Sequence, residues 1–224
     1  MSRTTPGELV KRLGGRYASA LGIDLASIDA GERFKWLLAA VLYGTRISEA
    51  LATRTWNEFA AHGVLTPERI QATGWDGLVD ILDAGGYVRY DYKTATKLLE
   101  VCAALMRDYG GSLDALHDAA ADPRDLENRL KALGKGIGDT TVAIFLRELR
   151  GIWPRAEPPL SPLALAAAAV LGYLRPGNAD RALAELRKAW AADGQPAGGF
   201  AEFESALVRE GLRLRRLTSR HRPT

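Results

Sequence analysis

The chain has 224 residues, enough to bury a substantial core in one domain or in two small lobes. Its 47% hydrophobic and 25% charged content is that of an ordinary soluble globular protein, and its single cysteine excludes an intramolecular disulfide and any cysteine-held metal or iron–sulfur cluster. The net charge of +3 hides an asymmetry: residues 209–224 carry six arginines against the single Glu210, a net of +5, so the preceding 208 residues hold −2.

In chain order, helix starts are clearly marked and no period-2 strand is evident. Thr5-Pro6, Thr66-Pro67, Asp122-Pro123 and Ser161-Pro162 each set an N-cap residue before a proline at the first helical position. A helix is expected after Pro6, and a strongly apolar one carries Phe34, Leu37, Leu38, Val41 and Leu42. Further helical runs cover 48–61, 78–82 and 92–109. Within the last of these Leu98, Val101, Cys102 and Leu105 form one apolar stripe, so Cys102 reads as a buried core thiol.

Leu126, Leu130 and Leu133 then precede a glycine-containing turn, and Val142, Phe145, Leu146 and Leu149 follow it at i, i+3, i+4, i+7. This is a helix-hairpin-helix pattern. Glycines at 136 and 138 let backbone amides approach an anion closely, and the N-terminus of the second helix favours it. A plain interhelical turn with a glycine cap fits the same residues. An alanine-rich helix from Pro162 to about Leu174, another over 179–191 and a last one from near Phe200 complete an all-α chain of roughly ten helices. The proline-rich segment 153–162 is the expected crossing between lobes. Nothing approaches 18 uninterrupted apolar residues and no signal-peptide core is present, so a soluble cytoplasmic protein without a membrane partner is expected, nucleoid-associated if prokaryotic.

Five segments in order resemble the helix-hairpin-helix (HhH-GPD) DNA glycosylase superfamily, which includes endonuclease III and the adenine and 3-methyladenine glycosylases. They are Phe34 to Leu42 (FKWLLAAVL), Gly86-Tyr87 with Lys93, Thr94 and Ala95, Tyr109-Gly110-Gly111, Gly136-Ile137-Gly138 with Thr141, and Leu171-Gly172. The resemblance implies a two-lobe architecture, with a helical barrel lobe over 31–144 and a second lobe from 1–30 plus 145–224 ending in the basic tail. It also implies duplex DNA as partner, gripped by Lys135, Gly136, Ile137, Gly138 and Thr141, with a base pocket between the lobes. Arg213, Arg215, Arg216 and Arg220 of the tail suit phosphate contacts, and a solvated end explains the same composition.

The residues depart from the family where its chemistry resides. The family's catalytic aspartate aligns with Ser161, which equally reads as the cap of the helix opened by Pro162. The Schiff-base lysine of the lyase members aligns with Thr140, so no lyase chemistry is expected. The residue that fills the gap left by a flipped base aligns with Thr45. Glu157, on a loop stiffened by prolines, is the first candidate for a substitute carboxylate, and Asp139 is the second. Tyr43 and Trp153 are the candidate aromatic faces of a base pocket. His62 and His117 read as surface residues without metal-ligand spacing. No cofactor or metal is expected, and a monomer is favoured. The first reading, favoured because the loop retains a carboxylate, is a DNA glycosylase with atypical catalytic residues acting on a modified or damaged base; the alternative is a catalytically inactive module that recognises a lesion or a DNA shape.

Overall fold

The structure is a computed structural model describing residues 4–174 and 181–220, the last two by their backbone alone. All regular structure among these residues is helical. The helices are α1 (Pro6–Leu13), α2 (Tyr17–Ala20), α3 (Gly31–Tyr43), α4 (Glu49–Ala61), α5 (Pro67–Ala84), α6 (Asp91–Tyr109), α7 (Leu113–Ala119), α8 (Pro123–Ala132), α9 (Asp139–Leu149), α10 (Pro162–Val170), α11 (Ala182–Ala192) and α12 (Phe200–Arg220).

The four cap-proline pairs start α1, α5, α8 and α10. The side chains of Thr5, Thr66, Asp122 and Ser161 accept hydrogen bonds from the amides of Glu8, Arg69, Asp125 and Ala164. Each such cap contributes about 1 kcal/mol by satisfying an amide that the helix cannot. Thr5 and Glu8 close a reciprocal capping box.

The chain divides into two compact units, residues 1–22 with 146–224 and residues 23–145. In the second, α3 is buried along almost its whole length, and Trp36 donates its Nε1 hydrogen to Phe145 O at 3.0 Å. Here α5 and α6 form the most extensive helix pair. The run expected over 78–82 is the second half of α5, which extends back to Pro67 and turns sharply at Gly74 (φ 70°).

In the other unit α12 is the central helix, packed against α10 and α1. Phe203 stacks on Trp190 at 5.7 Å and meets Tyr173 edge-on at 5.2 Å. The proline-rich segment 153–162 lies within this unit rather than at the division, which falls at 145/146 and at 22/23. The basic tail is also not a loose end as far as residue 220: it continues α12 as helix. No helix among the described residues is long and apolar enough to cross a membrane.

Candidate nucleic-acid interface

A glycine-containing turn over residues 133–138 joins α8 to α9. Leu133 and Ile137 are buried, at 3% and 5% exposure, and fasten the turn to the core of residues 23–145. Between them Gly136 adopts φ 92°, a conformation an L side chain rarely takes, and the Lys97 side chain packs across the space a Cβ would need there. Gly138 follows with nothing within 4 Å of its own Cβ position. Its carbonyl accepts from Val142 N at 3.1 Å, which makes Gly138 the N-cap and places the amides of 139–141 ahead of the helical ladder. The turn therefore points exposed backbone and a helix N-terminus outward, while its two apolar residues hold it from behind.

Charges surround this turn unevenly. Asp139 opens α9 with a side chain 91% exposed and pairs with Lys131 Nζ at 2.6 Å. That hydrogen bond raises the Lys131 ammonium above its ordinary pKa. Lys97 is half-buried beside Gly136, and burial lowers its ammonium pKa. The amide of Lys135 donates to the Glu100 carboxylate at 3.3 Å, while the Lys135 side chain is exposed.

The side chains of two of the expected DNA contacts face the core. Thr141 is only 5% exposed and packs against Gly44 at the end of α3, so its side chain belongs to the core. Ile137 is likewise buried, and its amide already donates to Gly134 O at 3.1 Å. Neither side chain is free for a ligand. Lys135, Gly136, Gly138 and the exposed Thr140 remain at the surface of the turn.

The candidate catalytic residues are differently placed. Ser161 caps α10, with its hydroxyl oxygen accepting from Ala164 N at 3.2 Å. Glu157 bridges two guanidinium groups: Arg150 Nη1 at 2.8 Å, and Arg187 Nη2 at 2.6 and 2.9 Å. Both its oxygens are thus committed to cations, which weakens any stabilisation it could give a second positive charge. For the base pocket, Tyr43 shares a hydrogen bond with Thr53 at 2.7 Å, and Thr45 accepts from the buried Tyr87 hydroxyl at 2.5 Å. Both lie in residues 23–145, whereas Trp153 is buried within the other unit. His62 is exposed, but His117 is buried at 6% exposure beside Asp118, contrary to the surface position expected. No group of three or more His, Cys, Asp or Glu among the described residues could hold a metal ion.

The end of α12 supplies a second basic surface. Arg213, Arg215 and Arg216 are exposed; Arg213 also bonds Glu210 at 2.9 and 2.6 Å and holds that carboxyl below its ordinary pKa. The Arg220 side chain lies outside the described residues. Arg209 takes no part in this surface, because its guanidinium stacks on Tyr17 at 3.9 Å and donates to Gly14 O and Gly15 O.

The unit of residues 1–22 and 146–224 also holds a buried ionic network that no motif in the chain announces. Glu148 is fully buried and accepts from Ala18 N at 3.1 Å and Ser205 Oγ at 2.6 Å. Arg150, 2% exposed, donates to Glu204 at 2.8 Å and to Pro158 O at 2.5 Å. Burial pushes the Glu204 pKa up, against the pull of the Arg150 and Arg147 charges. Glu204 stands four residues after Phe200 and three before Leu207, inside the apolar stripe of α12, and this placement is a readable sign of a buried charge.

No protein-family model matches the chain, and no curated protein matches it.

Proposed function

We propose that this chain is a DNA-binding protein of the base-excision-repair type that grips the phosphate backbone through its helix-hairpin-helix and recognises a lesion or a DNA shape without cutting the glycosidic bond. The observation that carries this reading is the turn at 136–138. Ile137 anchors it, Gly136 takes a left-handed conformation, and Gly138 exposes the N-terminus of α9 with open space before it. A phosphate there would meet backbone amides and the positive end of the helix dipole. The two compact units and the likeness of five ordered segments to helix-hairpin-helix glycosylases support the corresponding two-lobe architecture.

The inactive reading is favoured over the enzyme because the family's charged positions hold neutral residues with other duties. Ser161 is a helix cap and Thr140 cannot form a Schiff base. The glycosylase reading keeps one supporting observation: the Arg150 and Arg187 pairs hold Glu157 in a fixed place four residues before Ser161, as a positioned carboxylate requires. The experiment that separates the two uses duplexes carrying a panel of modified bases and an abasic site. Binding that falls steeply with salt, without base release from any duplex, is expected. Base release abolished by Glu157→Gln would establish the enzyme instead.

A further inference from the structure

Residues 23–145 carry an aromatic patch that the proposed DNA contact leaves unused. Trp75 of α5 and Tyr92 of α6 are 39% and 60% exposed, with ring centroids 5.1 Å apart and planes tilted by 43°. The Trp75 indole donates to Thr96 Oγ1 at 3.1 Å, which fixes the ring against α6. The other four tryptophans, Trp36, Trp56, Trp153 and Trp190, are all at 5% exposure or less, so Trp75 is an exception in this chain.

The charges near the patch select its partner. From Trp75 to the end of α5 the sequence holds Asp76, Asp80 and Asp83 and no basic residue. Asp91, immediately before Tyr92, hydrogen-bonds the Tyr92 amide at 2.7 Å. The Asp83 carboxyl pKa is raised by partial desolvation, then by its hydrogen bond to Asp91 and by the charges of Asp91 and Asp80. Among basic neighbours in sequence, Arg89 lies over the Tyr90 ring at 5.5 Å and Lys93 follows Tyr92, so the four aspartates outnumber the two cations along these stretches. Carboxylates beside exposed rings repel phosphate and attract guanidinium, which stacks well on indole and phenol faces.

A surface of the complementary kind exists on the same chain. The end of α12 presents Arg213, Arg215 and Arg216 with the half-exposed Leu214 and with Leu217, which is 40% exposed. Arginine and leucine on one side match aspartate and aromatic ring on the other. We propose that the chain self-associates, with the arginine-bearing end of α12 from one copy docking on the Trp75–Tyr92 face of a second copy. Because the same arginines are the second basic surface for DNA, a DNA duplex and the second copy compete for them, a consequence that rests on the DNA-binding reading. The self-association itself does not.

Sedimentation equilibrium of the full chain without DNA tests the inference independently of that reading. Average mass should rise with protein concentration at low salt and fall back towards the monomer at high salt. Trp75→Ala and Asp80→Lys should each raise the dissociation constant by about 10-fold, with far-UV circular dichroism unchanged. Mixing the Asp80→Lys chain with an Arg215→Glu, Arg216→Glu chain should restore association that neither shows alone, because the arginine end of the first still meets the unaltered aromatic face of the second; a mixture no more associated than its parts would contradict the proposed contact. A second readout needs no variant. Caesium should quench the exposed indole more strongly than iodide, and quenching by both should weaken as the concentration of the full chain rises at low salt. A chain that stays monomeric up to about 100 µM at low salt, or that associates equally well after both substitutions, overturns the proposal. So does quenching that stays the same as the concentration of the full chain rises.

Discussion

Replacing Gly211 by alanine should destabilise the protein, although helix propensity alone predicts the opposite. In an ordinary helix interior, alanine is favoured over glycine by roughly 0.5–1 kcal/mol. At position 211 of α12 the new Cβ would lie 2.3 Å from Leu163 O, 2.8 Å from Leu163 C and 3.0 Å from Leu163 Cα, where ordinary contact begins near 3.4 Å. The obstacle is backbone in the first turn of α10, so no rotamer change relieves it. The two helices must separate by roughly 1 Å, at an overpacking cost of about 1–3 kcal/mol. The net loss is about 1–2 kcal/mol, and a chain of this size loses about 2–4 °C of Tm per kcal/mol. Thermal unfolding followed by circular dichroism, with urea unfolding in parallel, measures it. A Gly211→Ala chain as stable as wild type, or more so, would show that α10 and α12 do not cross this closely.

Three further outcomes follow from the charges. Asp139→Asn should tighten duplex binding several-fold, because it removes a negative charge from the mouth of the hairpin and frees Lys131 from its ion pair; weaker binding would place the DNA elsewhere. Arg150→Ala should cost about 3–5 kcal/mol in urea unfolding, since Glu204 would stay buried without its partner; a loss below about 1 kcal/mol would mean that the pair is solvated. Glu210 has its folded pKa depressed by the Arg213 hydrogen bond, so the stability it contributes is present above its ordinary value of 4.5 and disappears as pH falls through the folded value. The Tm difference between wild type and Arg213→Ala should therefore be largest at neutral pH and vanish in acid. A difference that grows on acidification would contradict the sign.

Local signals in the chain announced local structure well. Four cap-proline pairs gave four helix starts because a cap hydroxyl or carboxylate and a fixed φ act within one turn, with no help from distant residues. The two helices on either side of the glycine turn, α8 and α9, were legible for the same reason: the glycines and the flanking 3.6-residue stripes are adjacent in sequence. Side-chain destinations were harder. Thr141 reads as a surface hydroxyl until Gly44, nearly a hundred residues earlier, is seen to pack against it. Arg209 and Arg213 look alike in an arginine-rich tail, yet one stacks on Tyr17 while the other is mostly exposed. Glu157 looked like an available carboxylate, and only tertiary structure brings Arg187 onto it. Such pairings join segments far apart in the chain, and periodicity carries no information about them.

The most direct test of the hairpin as a phosphate grip is Gly138→Ser, read by fluorescence anisotropy with a labelled duplex. Within the protein the new side chain meets nothing within 4 Å of its Cβ, and serine is at least as good an N-cap as glycine, so Tm should hold or rise slightly. Its hydroxyl would nonetheless occupy the amides offered to the phosphate, and its bulk would stand where the DNA backbone approaches. The account predicts steeply salt-dependent binding by wild type and a loss of affinity of about 10-fold or more in Gly138→Ser at unchanged stability. Equal affinity in the two proteins, or no duplex binding by wild type at low salt, would contradict it.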